Sequence, residues 1–335
     1  MKKLIGILIH FGRKALVFLL SIFVLSIIVF VMSRLAPTDP LQSYYGDRTE
    51  KMSVDEKETA REKLGLNESI PVQYVKWLNE ALHGNFGISY KYKQDVTEVI
   101  SSRILNTVIL GGLGFVLTFL GALLLGLFCA WHEDRLIDKA ICKVGTALSC
   151  IPEFWMSLLL IFIFAVTLKV LPTSGAYSIR HADDIADRAV HLILPLTVVV
   201  LGHLWYYAYM VRNKLLEEKR SEYVVVCRAK GLTKGEIFFK HCLRNIMPSY
   251  ISLMAVSVPH IIGGTYIVEM VFSYPGLGTL SYESARYADY NLLMILCLMT
   301  GAAVMLFSGI GQAISGKIDP RLGDDSAADI SEAER

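Results

Sequence analysis

Ile104 to Trp131 reads ILNTVILGGLGFVLTFLGALLLGLFCAW, without one charged residue. A bilayer core is crossed by about 20 apolar residues in helical form, so this stretch predicts a membrane-spanning helix with length to spare. Its glycines, Gly111, Gly112, Gly114, Gly121 and Gly126, predict a face that lets a neighbouring helix come close. Similar runs recur at about 15–35, 144–170, 189–211, 246–270 and 291–315; the 144–170 run holds one acid, Glu153, and the 246–270 run ends at Glu269. Six spans in a 335-residue chain that is 53% apolar and 19% charged predict an all-α polytopic membrane bundle. No run alternates with period two, which argues against a membrane β-barrel. A net charge of +2 gives no reason to expect a nucleic-acid partner.

The first span follows Lys2, Lys3, Arg13 and Lys14. Its run, Ala15 to Ser33, exceeds the 7–15 residues of a cleaved signal and no A-x-A site follows, so it is read as a permanent span. Orientation follows from Lys and Arg in short loops. With the N-terminus inside, those four join Arg135, Lys139 and Lys143, and nine more between the fourth and fifth spans. The opposing loops, 171–188 and 271–290, carry only Arg180, Arg188 and Arg286. Both termini are therefore expected in the cytoplasm. The chain divides into a cytoplasmic N-terminus with the first span (1–35), an external helical insertion (36–103) and a membrane core (104–316). A cytoplasmic loop at 212–248 interrupts the core, and a cytoplasmic tail (317–335), acidic and disordered after Asp324, follows it.

Within the insertion, Ser53-Val54-Asp55-Glu56 is a capping box and Gly65 a helix stop. Pro71 then opens a second helix, with Tyr74, Val75, Leu78 and Leu82 on one face and Gly84 at its end. The loop from Ser221 to Pro248 reads SEYVVVCRAKGLTKGEIFFKHCLRNIMP. Ser221 caps a short helix that ends at Gly231, and Thr233-Lys234-Gly235-Glu236 is a capping box for a second helix ending near Pro248. The pattern predicts a compact lever, two short helices bent at a glycine.

This stretch resembles the EAA loop of ATP-binding-cassette importer permeases, and more narrowly that of the oligopeptide/dipeptide/nickel permease family. The matching residues are Glu222, Tyr223, Val224, Arg228, Ala229, Lys230, Gly231, Leu232, His241, Leu243, Arg244, Asn245 and, shifted by one, Pro248; Cys227 stands where the family usually has alanine. Further motifs match in order: Arg34–Pro40, Leu64-Gly65-Leu66, Gly84–Ser89, Ile151–Trp155, Leu171–Gly175, Pro275–Gly278, Asp289-Tyr290 and Asp319-Pro320-Arg321. The resemblance implies a bacterial inner-membrane permease with a second, similar permease, two ATPase subunits and an external substrate-binding protein as partners. It implies that the loop docks on the ATPase, that ATP and magnesium sit on those partner subunits, and that this chain binds no cofactor and catalyses no bond chemistry. The solute is nickel or a metal chelate, or a di- or oligopeptide; Ile261–Thr265 and Phe86–Ser89 look closer to the nickel branch.

Three polar residues within the spans are candidates to line a path: Glu153, His203 and His260. Glu153 follows a helix-kinking proline, and reads either as a stop for a passing cation or as a structural acid paired near the membrane surface. The eight histidines form no HExxH or i,i+4 pair, and the six cysteines no CxxC, so no metal site or disulfide framework is expected. Gly311 to Ile318 nearly spells a phosphate-binding loop but lacks the final Ser/Thr and ends a span instead of following a strand. A secondary transporter would show paired broken helices in two halves, and an intramembrane enzyme a Ser/His or paired-carboxylate constellation; neither pattern is evident.

Overall fold

The computed structural model describes residues 2–36, 39–179, 181 and 183–318, with the side chains of 2–11 and 316–318 left aside. Pro37, Thr38 and Arg180, and Asp319 onward with the Asp319-Pro320-Arg321 motif and most of the expected tail, lie outside the described residues.

The described chain is helical, with no strand and a single antiparallel bridge between Ile88 and Asp95. The helices are α1 (Lys2–Leu35), α2 (Pro40–Tyr45), α3 (Arg48–Lys51), α4 (Val54–Lys63), α5 (Ile70–Leu82), α6 (Val96–Trp131) and α7 (Leu136–Ser149). There follow α8 (Glu153–Leu160), α9 (Ile185–Lys219), α10 (Glu222–Ala229), α11 (Lys234–Glu236), α12 (Leu243–Val271), α13 (Leu277–Arg286) and α14 (Tyr290–Ile318). Two π-helical stretches, Ile161–Thr167 and Ile237–Cys242, extend α8 and join α11 to α12. Among the described residues five helices are long and apolar enough to cross a membrane, and the pair α7 and α8 passes the same test together but is bent by 99°, as a broken span or a re-entrant loop would be.

Four expectations need correcting. The third span is not one run from 144 to 170, because the chain breaks at Cys150–Pro152, where Pro152 adopts extended backbone. The second helix of the 221–248 loop does not stop near Pro248: α12 carries Pro248 and Pro259 inside it and runs on to Val271. Within a bilayer every backbone group needs an internal partner, which favours continuing the helix past a proline. Ser221 occupies the N-cap position but makes no side-chain cap; its hydroxyl bonds back to the Glu217 carbonyl, 3.4 Å away. The second span also starts earlier than expected, since α6 opens at Val96.

The chain forms two compact units. One gathers residues up to Leu105 with Pro275–Met305; the other holds Asn106–Tyr274 and residues from Leu306. In the first unit, the Ser53–Glu56 capping box forms as expected and Gly65 and Gly84 adopt positive φ. Helix α5 lies against α1: Tyr74 stacks edge-on with Phe30 at 5.3 Å between ring centres, and its hydroxyl shares a 2.8 Å bond with Ser26. Two motifs quoted separately above meet here, because the Ser89 hydroxyl donates to the buried Asp289 carboxylate, which also accepts from the Lys91 amide at 3.1 Å.

The second unit shows why the α6 run is glycine-rich. A Cβ on Gly114 would meet Val199 at 2.7 Å, on Gly121 Leu204 at 2.9 Å, and on Gly126 Val211 at 2.7 Å, all on α9. Gly112 faces open space and Gly111 only touches Thr265 at 3.7 Å, so three of the five glycines make the predicted close approach. Phe119, 1% exposed, packs its ring on Tyr207 at 4.5 Å, and Tyr250 donates to the Phe119 carbonyl.

Candidate functional site

The second unit carries two groups of candidate residues. The first is the corner between α10 and α11. Gly231 has φ +81°, with Lys230 closing α10 before it. The Leu232 amide donates to the Cys227 carbonyl at 3.2 Å and the Gly231 amide to Arg228 at 3.0 Å, the paired bonds of a Schellman stop. Two residues on, Thr233 and Glu236 form the reciprocal capping box that opens α11. The corner is thus built from consecutive local signals, and a positive φ at Gly231 costs least because glycine has no Cβ.

One carboxylate that the sequence reading passed over fastens this corner to α9. Glu218 accepts from the Tyr223 hydroxyl at 2.7 Å and from Asn245 Nδ2 at 3.2 Å, tying α10 and the start of α12 to one point. Burial, with the adjacent Glu218, pushes the Tyr223 hydroxyl well above its usual range, so it stays a donor. Next to it, Glu133 takes Lys219 at 2.5 Å and Arg220 at 3.0 Å, joining the turn after α6 to the end of α9. The bond from Lys219 holds the Glu133 carboxyl below the usual range. Beneath, Val224, Ile237, Phe238 and Cys242 are buried, and Trp131 lies 5.2 Å from the Phe238 ring.

Of the residues singled out in this loop, Glu222, Arg228, Ala229, Lys230, Gly231 and Arg244 are exposed, and so are Val225 and Val226 between them. Tyr223, Leu232, His241 and Pro248 are half-buried. Asn245 is exposed yet bonded to Glu218.

The second group is Glu153, His203 and His260, which three helices bring together. Glu153 is the first residue of α8, directly after the break. Its Oε1 lies 3.6 Å from His203 Nδ1 on α9. The His203 and His260 rings stand edge to face with centres 5.5 Å apart. Room for the carboxylate comes from two glycines: a Cβ on Gly202 would fall 2.7 Å from Glu153 Oε1, and one on Gly264 would fall 3.3 Å from Oε1 and 2.8 Å from His203 Cε1. Gly264 belongs to the Ile261–Thr265 stretch quoted above. His203 is 7% exposed, whereas His260 is exposed. Among the described residues no group of three or more His, Cys, Asp or Glu side chains is placed to hold a metal ion.

Two further buried acids lay outside the sequence reading of the site. Glu269 is fully buried and accepts from the Thr107 hydroxyl at 2.6 Å. Asp138, equally buried, takes the Arg212 guanidinium in a two-pronged bond of 2.7 and 2.6 Å. In the sequence Glu269 stands only as the end of the fifth span and a position matching the family, and Asp138 gives no signal.

Comparison with known proteins closes the question of family. The model described as "Binding-protein-dependent transport system inner membrane component" matches residues 122–324, and a companion model for the N-terminal part of such components matches 7–111. The chain belongs to this family. As a binding-protein-dependent permease it is a multi-pass inner-membrane protein, the translocation subunit of an ATP-binding-cassette importer, a system that includes ATPase subunits and a substrate-binding protein. This permease is 32% identical over 311 residues to the oligopeptide transport system permease protein AppB of Bacillus subtilis, covering 92% of this chain and 98% of AppB. It is 29% identical over 311 residues to the metal-staphylopine import system permease protein CntB of Staphylococcus aureus, covering 92% and 96%. A solved chain of the MetNI methionine ABC transporter, in inward facing conformations, shares the fold at a TM-score of 0.54 and 16% identity, over 67% of this chain and 97% of that one.

Proposed function

We propose that the permease passes small peptides through the membrane, and that the Ser221–Pro248 corner is where ATPase movement enters it. The corner carries this reading. It presents an exposed surface of Glu222, Val225, Val226, Arg228 and Lys230 on a helix fixed at both ends, by Glu218 at one and Gly231 at the other. A docking partner can bias two states only through contacts that differ between them, and a clamped helix transmits such differences instead of absorbing them. The complex pairs this chain with a second, similar permease and two ATPase subunits, with ATP and magnesium on the latter. This chain holds no cofactor and carries out no bond chemistry. Both termini and the corner face the cytoplasm, as the excess of Lys and Arg on that side supports.

The peptide reading follows the likeness to AppB, and a metal chelate is the second reading, favoured by the likeness to CntB. Uptake of a labelled dipeptide and of labelled nickel, with the binding protein present, separates them. Dipeptide uptake without nickel uptake is expected; the reverse overturns the peptide reading. In the same cells a cysteine placed at Lys57 should react with an impermeant external reagent and one at Lys234 should not. External labelling at Lys234 overturns the orientation.

A further inference from the structure

Glu153 is a carboxylate at membrane depth with two histidines and no Lys or Arg beside it. Among the described residues no Lys or Arg nitrogen lies within 4.0 Å of it, and His203 is its one ion-pair neighbour. That neighbour is already committed. His203 Nδ1 lies 2.9 Å from the Val199 carbonyl oxygen, a bond in which the ring nitrogen donates. A donating Nδ1 has no lone pair for a metal ion, and the Cε1–Nε2 edge of the same ring is pressed against Gly264. Only His260 and the carboxylate, whose side chain is 19% exposed, face open space. Hydrocarbon is a costly surrounding for such an acid, so it faces a water-lined cavity or a partner.

We infer that the Glu153–His260 face, backed by His203, is a docking point for the ammonium group of the solute in transit. An ammonium carries three N–H donors and no lone pair. The face offers the complement: carboxylate oxygens that accept, with no Lys or Arg nitrogen within 4.0 Å of them, and an exposed imidazole ring beside them. A bare metal ion would require at least three converging ligands, and with His203 Nδ1 spent the face supplies two. Gly202 and Gly264 are then small because the carboxylate must sit between α9 and α12. This inference rests on the peptide-permease reading, whose solutes carry such a group.

The test has two arms in the assembled importer. In the first, Gly263→Cys, at a position with open space around it, is reacted with a primary-ammonium (aminoethyl) and with a sulfonate methanethiosulfonate reagent, counting labelling above the chain without that cysteine. The cationic reagent should react faster, and adding Glu153→Gln should cut that preference about fivefold. In the second arm, Glu153→Gln should lower the maximal uptake rate of a labelled dipeptide, with Glu153→Asp recovering part of it. No labelling by either reagent, or an unchanged preference in Glu153→Gln, overturns the inference. So does loss of the second permease from the complex on Glu153→Gln, which would make the missing cation a partner's side chain. If the wild-type importer takes up no dipeptide while the cation preference holds and vanishes with Glu153→Gln, the peptide reading fails and the ammonium site stands.

Discussion

The chain turns sharply at two corners, and they are built in opposite ways. At Lys230–Thr233 the bend itself is set by local bonds, a Schellman stop around Gly231 and then a capping box between Thr233 and Glu236, with Glu218 tying the flanking helices to α9. At Cys150–Pro152 no side chain caps either helix end, yet the two helices meet at 99°. That second corner is held from outside. Glu153 sits against Gly202 and Gly264, and on the other arm a Cβ on Gly145 would fall 2.6 Å from the Trp205 ring. The first corner carries its own instructions, whereas the second depends on α9 and α12 being in register. Only the second should therefore be sensitive to bulk added on a distant helix.

The largest effect is expected at Gly202. Gly202→Leu drives a side chain into the Glu153 carboxylate, and overpacking of this kind costs about 1–3 kcal/mol. Uptake should be abolished and the detergent-solubilised protein should melt earlier; Gly202→Ala should be impaired too, because its Cβ alone already collides. Wild-type uptake by both variants would mean that the second corner is locally determined after all.

Gly231 should respond to conformation and not to bulk. Nothing lies within 4 Å of an added Cβ there, so the strain is backbone strain alone, about 1–3 kcal/mol for a β-branched residue. Gly231→Val should lose uptake and co-purify poorly with the ATPase subunits while inserting normally. Gly231→Asn, which tolerates positive φ better, should recover much of both. Equal behaviour of the two variants would show that the bend is not set at this residue.

The smallest effect sharpens the first corner. Thr233→Ala removes a formed cap and should cost about 1 kcal/mol, whereas Ser221→Ala removes a hydroxyl that only returns to Glu217 and should cost a few tenths at most. Thermal unfolding of the two variants side by side reads the difference.

The same contrast explains what the sequence disclosed. The spans, the Ser53 and Thr233 capping boxes and the stops at Gly65 and Gly231 were legible because each is a short pattern with a local physical cause. Glu153, His203 and His260 could be named as polar residues at membrane depth, but their convergence depends on the register of three helices. Pro248 misled, since a proline that ends a helix in water is carried through where the surrounding bilayer supplies no alternative partner for the backbone. Glu218 and Asp138 left no trace because an acid beside basic residues at a span's end looks like any solvated charge.

The uninterrupted run from Lys234 to Val271 has a mechanical meaning. Its 38 residues, at about 1.5 Å each, make a rod of about 57 Å, nearly twice the thickness of a bilayer's hydrocarbon core. One end begins at the Thr233 cap, and partway along it lie His260 and Gly264. The run links the two ends by continuous helical backbone, through a π-helical stretch and past Pro248 and Pro259. The wall that flanks Glu153 is thus the far part of the helical run that begins at the Thr233 cap.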